Sequence, residues 1–185
     1  MALEVFYSEG RLQTAGGRDI SGEVLANTDQ LQFGPGDVTP SGTATVVAQG
    51  AWVGVNLPAT GTSGVAISRN FPSNWGTASM SFGYSPLTAN GGNVRWQMKV
   101  YRVNALGFGD LITDAAATTD LVTQVGGTQF QLESVLIHPA NFQVHNTDGL
   151  IGDVTNVTIE RLGDDAADTH TGAMLLFNVT LVRTS

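Results

Sequence analysis

The densest group of side chains able to do chemistry is Asp164-Asp165-Ala166-Ala167-Asp168-Thr169-His170, with Asp153 and Glu160 close by in sequence. Oxygen ligands spaced this tightly can hold calcium, but the central glycine and closing glutamate of an EF-hand loop are missing. The plainer expectation is a hairpin turn whose Asp side chains accept turn amides. None of the three histidines, His138, His145 and His170, has an i, i+4 partner of the kind that makes a helical zinc pair. The chain has no cysteine, which removes disulfides, thiolate metal sites and cysteine nucleophiles together. No Gly-x-Ser-x-Gly elbow supports a serine hydrolase. Gly16-Gly17, Gly107-Phe108-Gly109 and Gly126-Gly127 all lack the Gly-Lys-Ser/Thr ending of a phosphate loop. With five Glu in the chain and most acids in expected turns, paired carboxylates for glycosidic cleavage are poorly provided. The expectation is a protein with no catalytic residues, no cofactor and no required metal.

The aromatics remain. Trp52, Trp75, Trp96, Tyr84 and Tyr101 could form a sugar-stacking platform on the face of a β-sandwich. Trp96 falls on the apolar side of an alternating segment and is expected in the core. Trp75, within Pro72-Ser73-Asn74-Trp75-Gly76, falls in an expected loop and is the best candidate for exposure.

The elements that would position these groups are strands. The chain of 185 residues holds 40 Val and Thr, and Gly, Asn and Asp interrupt them about every ten positions. Expected strands cover residues 43–47, 51–55, 65–68, 78–84, 93–103, 130–137, 154–162 and 174–182. In the segment 93–103, Val94, Trp96, Met98 and Val100 alternate with Arg95, Gln97, Lys99 and Tyr101, which puts one face in a core and the other in water. Phe177, Val179 and Leu181 alternate in the same way and are expected to pack against them. Residues 114–125 suit a short helix capped by Asp114, although their Thr-rich second half suits a strand or loop equally well. Asn156-Val157-Thr158 and Asn178-Val179-Thr180 match the glycosylation pattern and are read as strand residues. The fold expected is all-β: an antiparallel two-sheet β-sandwich, jelly-roll-like, over residues 41–185, preceded by an extended N-terminal arm over residues 1–40.

The balance of 8 basic against 16 acidic side chains gives a net charge of −8, and Lys99 is the only lysine. A surface that tracks nucleic-acid phosphates or an anionic membrane is therefore not expected. No apolar run is long enough to span a bilayer, and the first ten residues lack the pattern of a secretory signal, so folding in a cytoplasm is expected.

The second half of the chain resembles small tailed-bacteriophage virion proteins with a jelly-roll fold. The resemblance rests on Val135-Leu136-Ile137-His138-Pro139-Ala140, Gly-Leu-Ile-Gly-Asp at residues 149–153, Glu160-Arg161, and Asp168-Thr169 before the last apolar strand. It covers about residues 93–185. It implies a capsid decoration (cement) protein: a homotrimer on the capsid exterior that contacts the major capsid protein. In that role the arm, with Leu3, Val5, Phe6 and Tyr7 at its apolar tip, would lie across a neighbour. Related sandwiches also bind carbohydrate, so the alternative expectation is a receptor- or carbohydrate-binding module at a fibre or spike. The sparse charge on the expected strands points to self-association in either case.

Overall fold

The computed structural model describes residues 5–8, 11–14, 30–71, 75–103, 117–143 and 154–184. Its thirteen strands are β1 (Val5–Ser8), β2 (Arg11–Thr14), β3 (Gln30–Phe33), β4 (Thr39–Gly42), β5 (Thr45–Gln49), β6 (Trp52–Leu57), β7 (Thr62–Asn70), β8 (Thr77–Pro86), β9 (Gly92–Val103), β10 (Ala117–Val125), β11 (Glu133–Gln143), β12 (Val154–Leu162) and β13 (Met174–Arg183). A five-stranded sheet runs β10-β9-β12-β7-β4. The other sheet runs β11-β8-β13-β6-β5, and β3 pairs the second half of β13 where β6 has stopped. Every pairing is antiparallel. The molecule is the two-sheet β-sandwich expected from the sequence.

The core follows from strand alternation. Val94, Trp96, Met98 and Val100 of β9 are all buried, as are Ala78, Met80, Phe82 and Tyr84 of β8 from the opposite sheet. The Trp96 ring meets Phe82 edge-on at 4.8 Å and Tyr84 at 5.3 Å, and its indole N–H donates to Thr123 Oγ1 at 2.8 Å. Large aromatics that bury their bodies and satisfy their polar atoms are strong anchors between sheets.

Four expectations change. Residues 117–125 form β10, not a helix. Thr118, Thr119 and Thr123 are β-branched, and Leu121, Thr123 and Val125 alternate so as to match β9 in register. The expected arm boundary at residue 40 falls inside the sandwich, because β3 extends the second sheet and Phe33 and Val38 are core residues. Trp75 is fully buried against Phe71 at 5.5 Å, and is not an exposed loop residue. Phe177 leaves the core: Leu176 pairs Tyr84 and Asn178 pairs Gly83, so Phe177 is the extra residue of a β-bulge. Val179 and Leu181 are buried as expected. Val5, Phe6 and Tyr7 lie in β1, which pairs β2, while Leu3 lies outside the described residues.

Candidate functional site

The bulge in β13 builds an open concavity on the sandwich. A β-bulge re-aims the side chains beside it, and here Phe177 and Asn178 both emerge on the outer face of the sheet containing β13. Phe177 meets Trp52 of β6 edge-on, with ring centroids 5.8 Å apart. Trp52 is 69% exposed because it opens β6 directly after the two-residue turn Gly50-Ala51, in which Gly50 takes a φ of 63°. Together they form one wall of a groove of about 690 Å³. The other wall is Phe130 and Leu132, 53% and 67% exposed, from the segment between β10 and β11.

Two local choices shape this concavity. Gly54 is required under it, since a Cβ there would approach Leu175 Cγ to 2.6 Å; its absence lets Leu175 lie flat as the floor. Phe130 holds a positive φ of 61° and is tied by its N–H to Pro86 O at 2.9 Å. A bulky non-glycine residue in that region costs about 1–3 kcal/mol, and such strain gathers at functional positions.

Polar atoms are few here. Ser85 faces Leu175 across the β8–β13 ladder and lines the groove. The residue is 1% exposed and its Oγ has no hydrogen-bond partner; among the described buried orphan atoms it alone belongs to a groove-lining residue. Asn178 Oδ1 accepts the Gly83 N–H at 3.0 Å, which fixes the carboxamide and leaves its Nδ2 donors for another acceptor. The lining contains no charged side chain. Such a surface can cover the apolar face of a flat, neutral molecule and offer it a small number of directed hydrogen bonds.

The acidic turn does something else. Asp165 Oδ1 accepts the Ala167 N–H at 2.8 Å, the turn role expected of it, whereas Asp164 Oδ1 accepts the Gly61 N–H of the β6–β7 turn at 3.0 Å. The segment is not the expected hairpin, since β12 pairs β7 and β9 in one sheet and β13 pairs β8, β6 and β3 in the other. Asp168 is buried in a two-point pair with Arg161, Nε to Oδ2 at 2.8 Å and Nη2 to Oδ1 at 2.8 Å. Arg161 also donates to the carbonyls of His170, Gly172 and Leu57, so acceptors face all five of its N–H groups. His170 is buried beside this pair with both ring nitrogens unpartnered. Burial, and next the Arg161 charge, lower its pKa below the usual imidazole value. Among the described residues no group of three or more His, Asp or Glu is placed to hold a metal ion. His138 falls in β11 where its register shifts, and His145 lies outside the described residues.

Of the five aromatics named from sequence, Trp96 and Tyr84 are core and Trp75 is buried. Tyr101 lies half-buried on the five-stranded sheet, and only Trp52 reaches the groove. Tyr84 donates its hydroxyl to Glu133 Oε2 at 2.8 Å, and burial followed by that bond pushes its pKa well up. Phe130, Leu132 and Ser85 were not singled out as site residues by sequence reasoning, and Phe177 was expected in the core. The legible signal for one of them was the unbroken apolar run Met174-Leu175-Leu176-Phe177, which an undisturbed alternating strand would not contain.

No family model matches the chain, and no curated protein does. Solved structures do resemble it. The CBM36-1 domain of a multidomain xylanase from the hindgut metagenome of Trinervitermes trinervoides superposes with a TM-score of 0.51 at 15% identity, over 84% of this chain and 98% of that one. An exo-β-1,3-galactanase from Phanerochaete chrysosporium, solved with β-1,3-galactotriose, gives a TM-score of 0.50 at 11% identity over 83% of this chain. The chain spans about three-tenths of that enzyme's length, 29%. At these identities the likeness is one of fold.

Proposed function

We propose that this sandwich is a non-catalytic carbohydrate-binding module, with the groove between Trp52–Phe177 and Phe130–Leu132 as its saccharide site. The observation that carries this reading is the Ser85 hydroxyl, buried without a partner in an otherwise apolar, aromatic-walled groove. A buried hydroxyl left unsatisfied costs about 1–3 kcal/mol, and a ligand hydroxyl that reached it, once the side chains over it shift, would return that energy on binding. Sugar rings carry apolar C–H faces and hydroxyl edges, which suits a stacking wall above a floor with one or two polar atoms. The absence of charge from the lining, with a net charge of −8 on the chain, favours a neutral glycan over a polyanion. Of the two roles expected from the sequence, capsid decoration and saccharide binding, the groove favours the second. Its fold is also shared with a xylanase CBM36-1 domain.

The test is affinity electrophoresis of the full chain in native gels containing hydroxyethylcellulose, xylan, β-mannan or β-galactan. At least one polysaccharide retards the wild type. Trp52→Ala, exposed and outside the core, weakens that retardation about 30-fold, equivalent to ~2 kcal/mol for an aromatic hot spot, without lowering Tm. Failure of all four gels to retard the wild type, or equal retardation of Trp52→Ala, overturns the reading.

A further inference from the structure

The sandwich has five sheet edges among its described strands, and four carry a device against pairing; β3, which pairs β13 alone, is only four residues long. β4 is four residues long and contains Pro40, which lacks an N–H. β10 carries Asp120, ion-paired to Arg95 at 2.9 Å. β11 carries Glu133 and Pro139 and breaks register between Ile137 and Phe142. Charges, prolines, bulges and short strands are the usual ways of blunting an edge. β5 has none of them. Its sequence is Thr-Val-Val-Ala-Gln, its register with β6 is unbroken, and it terminates its sheet.

A second observation concerns the side chains beside that edge. Val46 pairs Val55 and Ala48 pairs Val53, so Val46, Ala48 and Val53 share the inward face with the fully buried Val55 and Leu57. Yet Val46 is 50% exposed and Val53 53% exposed. The β5–β6 hairpin therefore projects beyond the opposing sheet, presenting core-type valines to solvent. Residues 38–68, which include all of this hairpin, contain no Asp, Glu, Lys or Arg.

The geometry points to a homodimer formed by antiparallel pairing of β5 with β5 of a second copy, extending the sheet across a two-fold axis at Val47. The occupant is a second copy because the edge is self-complementary. Rotation about Val47 sets Val46 opposite Ala48 and Thr45 opposite Gln49, and joins the two valine ledges into one apolar strip. Two chains of net charge −8 repel elsewhere, and this hairpin is where contact brings no like charges together. An isologous contact of this kind closes at two copies, so this edge builds a dimer and not the trimer expected from the family resemblance. The inference rests on the β5 edge and not on the saccharide reading, although Gln49 and Val53 also border the groove.

The chain has no cysteine, which makes the test direct. Residues directly opposite in an antiparallel pair lie within reach of a disulfide. Val47→Cys is expected to form a covalent dimer on mild oxidation at least tenfold faster than Thr118→Cys, an exposed control on β10. In sedimentation velocity the wild type shifts from monomer toward dimer as concentration rises, and Val46→Lys stays monomeric with an unchanged melting curve. A wild type that is monomeric at all concentrations overturns the proposal. Equal crosslinking of the two cysteine variants, or undiminished association of Val46→Lys, overturns it as well.

Discussion

Two of the places where this sandwich buries polar atoms treat them in opposite ways. At one end, Arg161 and Asp168 are sealed from water, and the guanidinium's donors all face carboxylate or carbonyl oxygens. On the outer face of the β13 sheet, Ser85 is buried as deeply, but its Oγ has no partner. The first arrangement ties strand β12 to the turn before β13 and to β9, since Asp168 Oδ2 also accepts the Arg95 N–H at 3.3 Å. The Arg161 donors are all satisfied within the chain and leave none for a ligand. The second is incomplete and opens toward a groove. The difference separates a polar network that serves the fold from a polar atom held for something outside it.

The largest effect should come from breaking the completed network. Asp168→Ala leaves the Arg161 guanidinium buried without its counter-charge, which costs about 3–5 kcal/mol. Urea unfolding of this variant should show that loss as a lower midpoint at unchanged m-value. Any retardation by polysaccharide should persist at temperatures where the variant is folded, because the pair is remote from the groove lining. A variant as stable as wild type would break the comparison.

His170 connects the network to pH. Its folded-state pKa is lowered, by burial first and by Arg161 second, with Asp168 opposing. The unfolded chain, near the ordinary value of 6.5, therefore binds the proton more readily than the folded one. The stability that follows from keeping the ring neutral is fully present above pH 6.5 and is lost as pH falls below it. Unfolding midpoints measured from pH 8 to 5 should decline, and His170→Gln should flatten that decline; identical slopes in the two proteins would remove His170 from the account.

Ser85→Ala tests the unfinished site, and its two readouts should move in opposite directions. Removing a buried hydroxyl that has no partner should stabilise the chain by up to ~1 kcal/mol, since a desolvation cost disappears with it. Polysaccharide retardation should weaken by about tenfold or less, the worth of one hydrogen bond. Loss of stability together with unchanged binding would mean that Ser85 belongs to the fold.

How much of this was readable beforehand divides along the same line. The two-sheet core was legible because alternation is a property of a strand by itself: Val94, Trp96, Met98 and Val100 announce their shared face without knowledge of a partner. The Asp165 turn contact was legible because Asp bonds amides close to it in sequence, whereas the Asp164 contact with Gly61 joins two separate turns and was not. Phe177 was misplaced because a bulge is defined by two strands together, and the extra residue shows only when β13 is laid against β8. Trp75 was misplaced because Pro72 and Gly76 mark a loop but do not say what the loop folds over; here the ring is buried against Phe71. Arg161 read as the polar end of a strand, although its side chain turns inward to meet a carboxylate seven residues on. Ser85 carries no sequence signal, because being unpartnered is a fact about its neighbours.

The smallest effect belongs to the ion pair between these extremes. Lys99 Nζ lies 2.8 Å from Glu160 Oε2 on the outer face of the five-stranded sheet, with side chains 28% and 16% exposed. The hydrogen bond to Glu160 raises the lysine pKa against a smaller opposing effect of burial. Water reaches both partners, so neither pays the desolvation that makes Asp168 indispensable, and neither has an orphan's need for a ligand. Glu160→Gln keeps the shape and removes the charge. It should cost about 0.5 kcal/mol at low ionic strength, and less in 0.5 M salt, where screening has taken most of the attraction already. The check is the unfolding midpoint of wild type and variant at both salt concentrations. A salt-independent loss of several kcal/mol would place this pair with Arg161 and Asp168, and exposure would then no longer separate the pairs that hold the fold from those that decorate it.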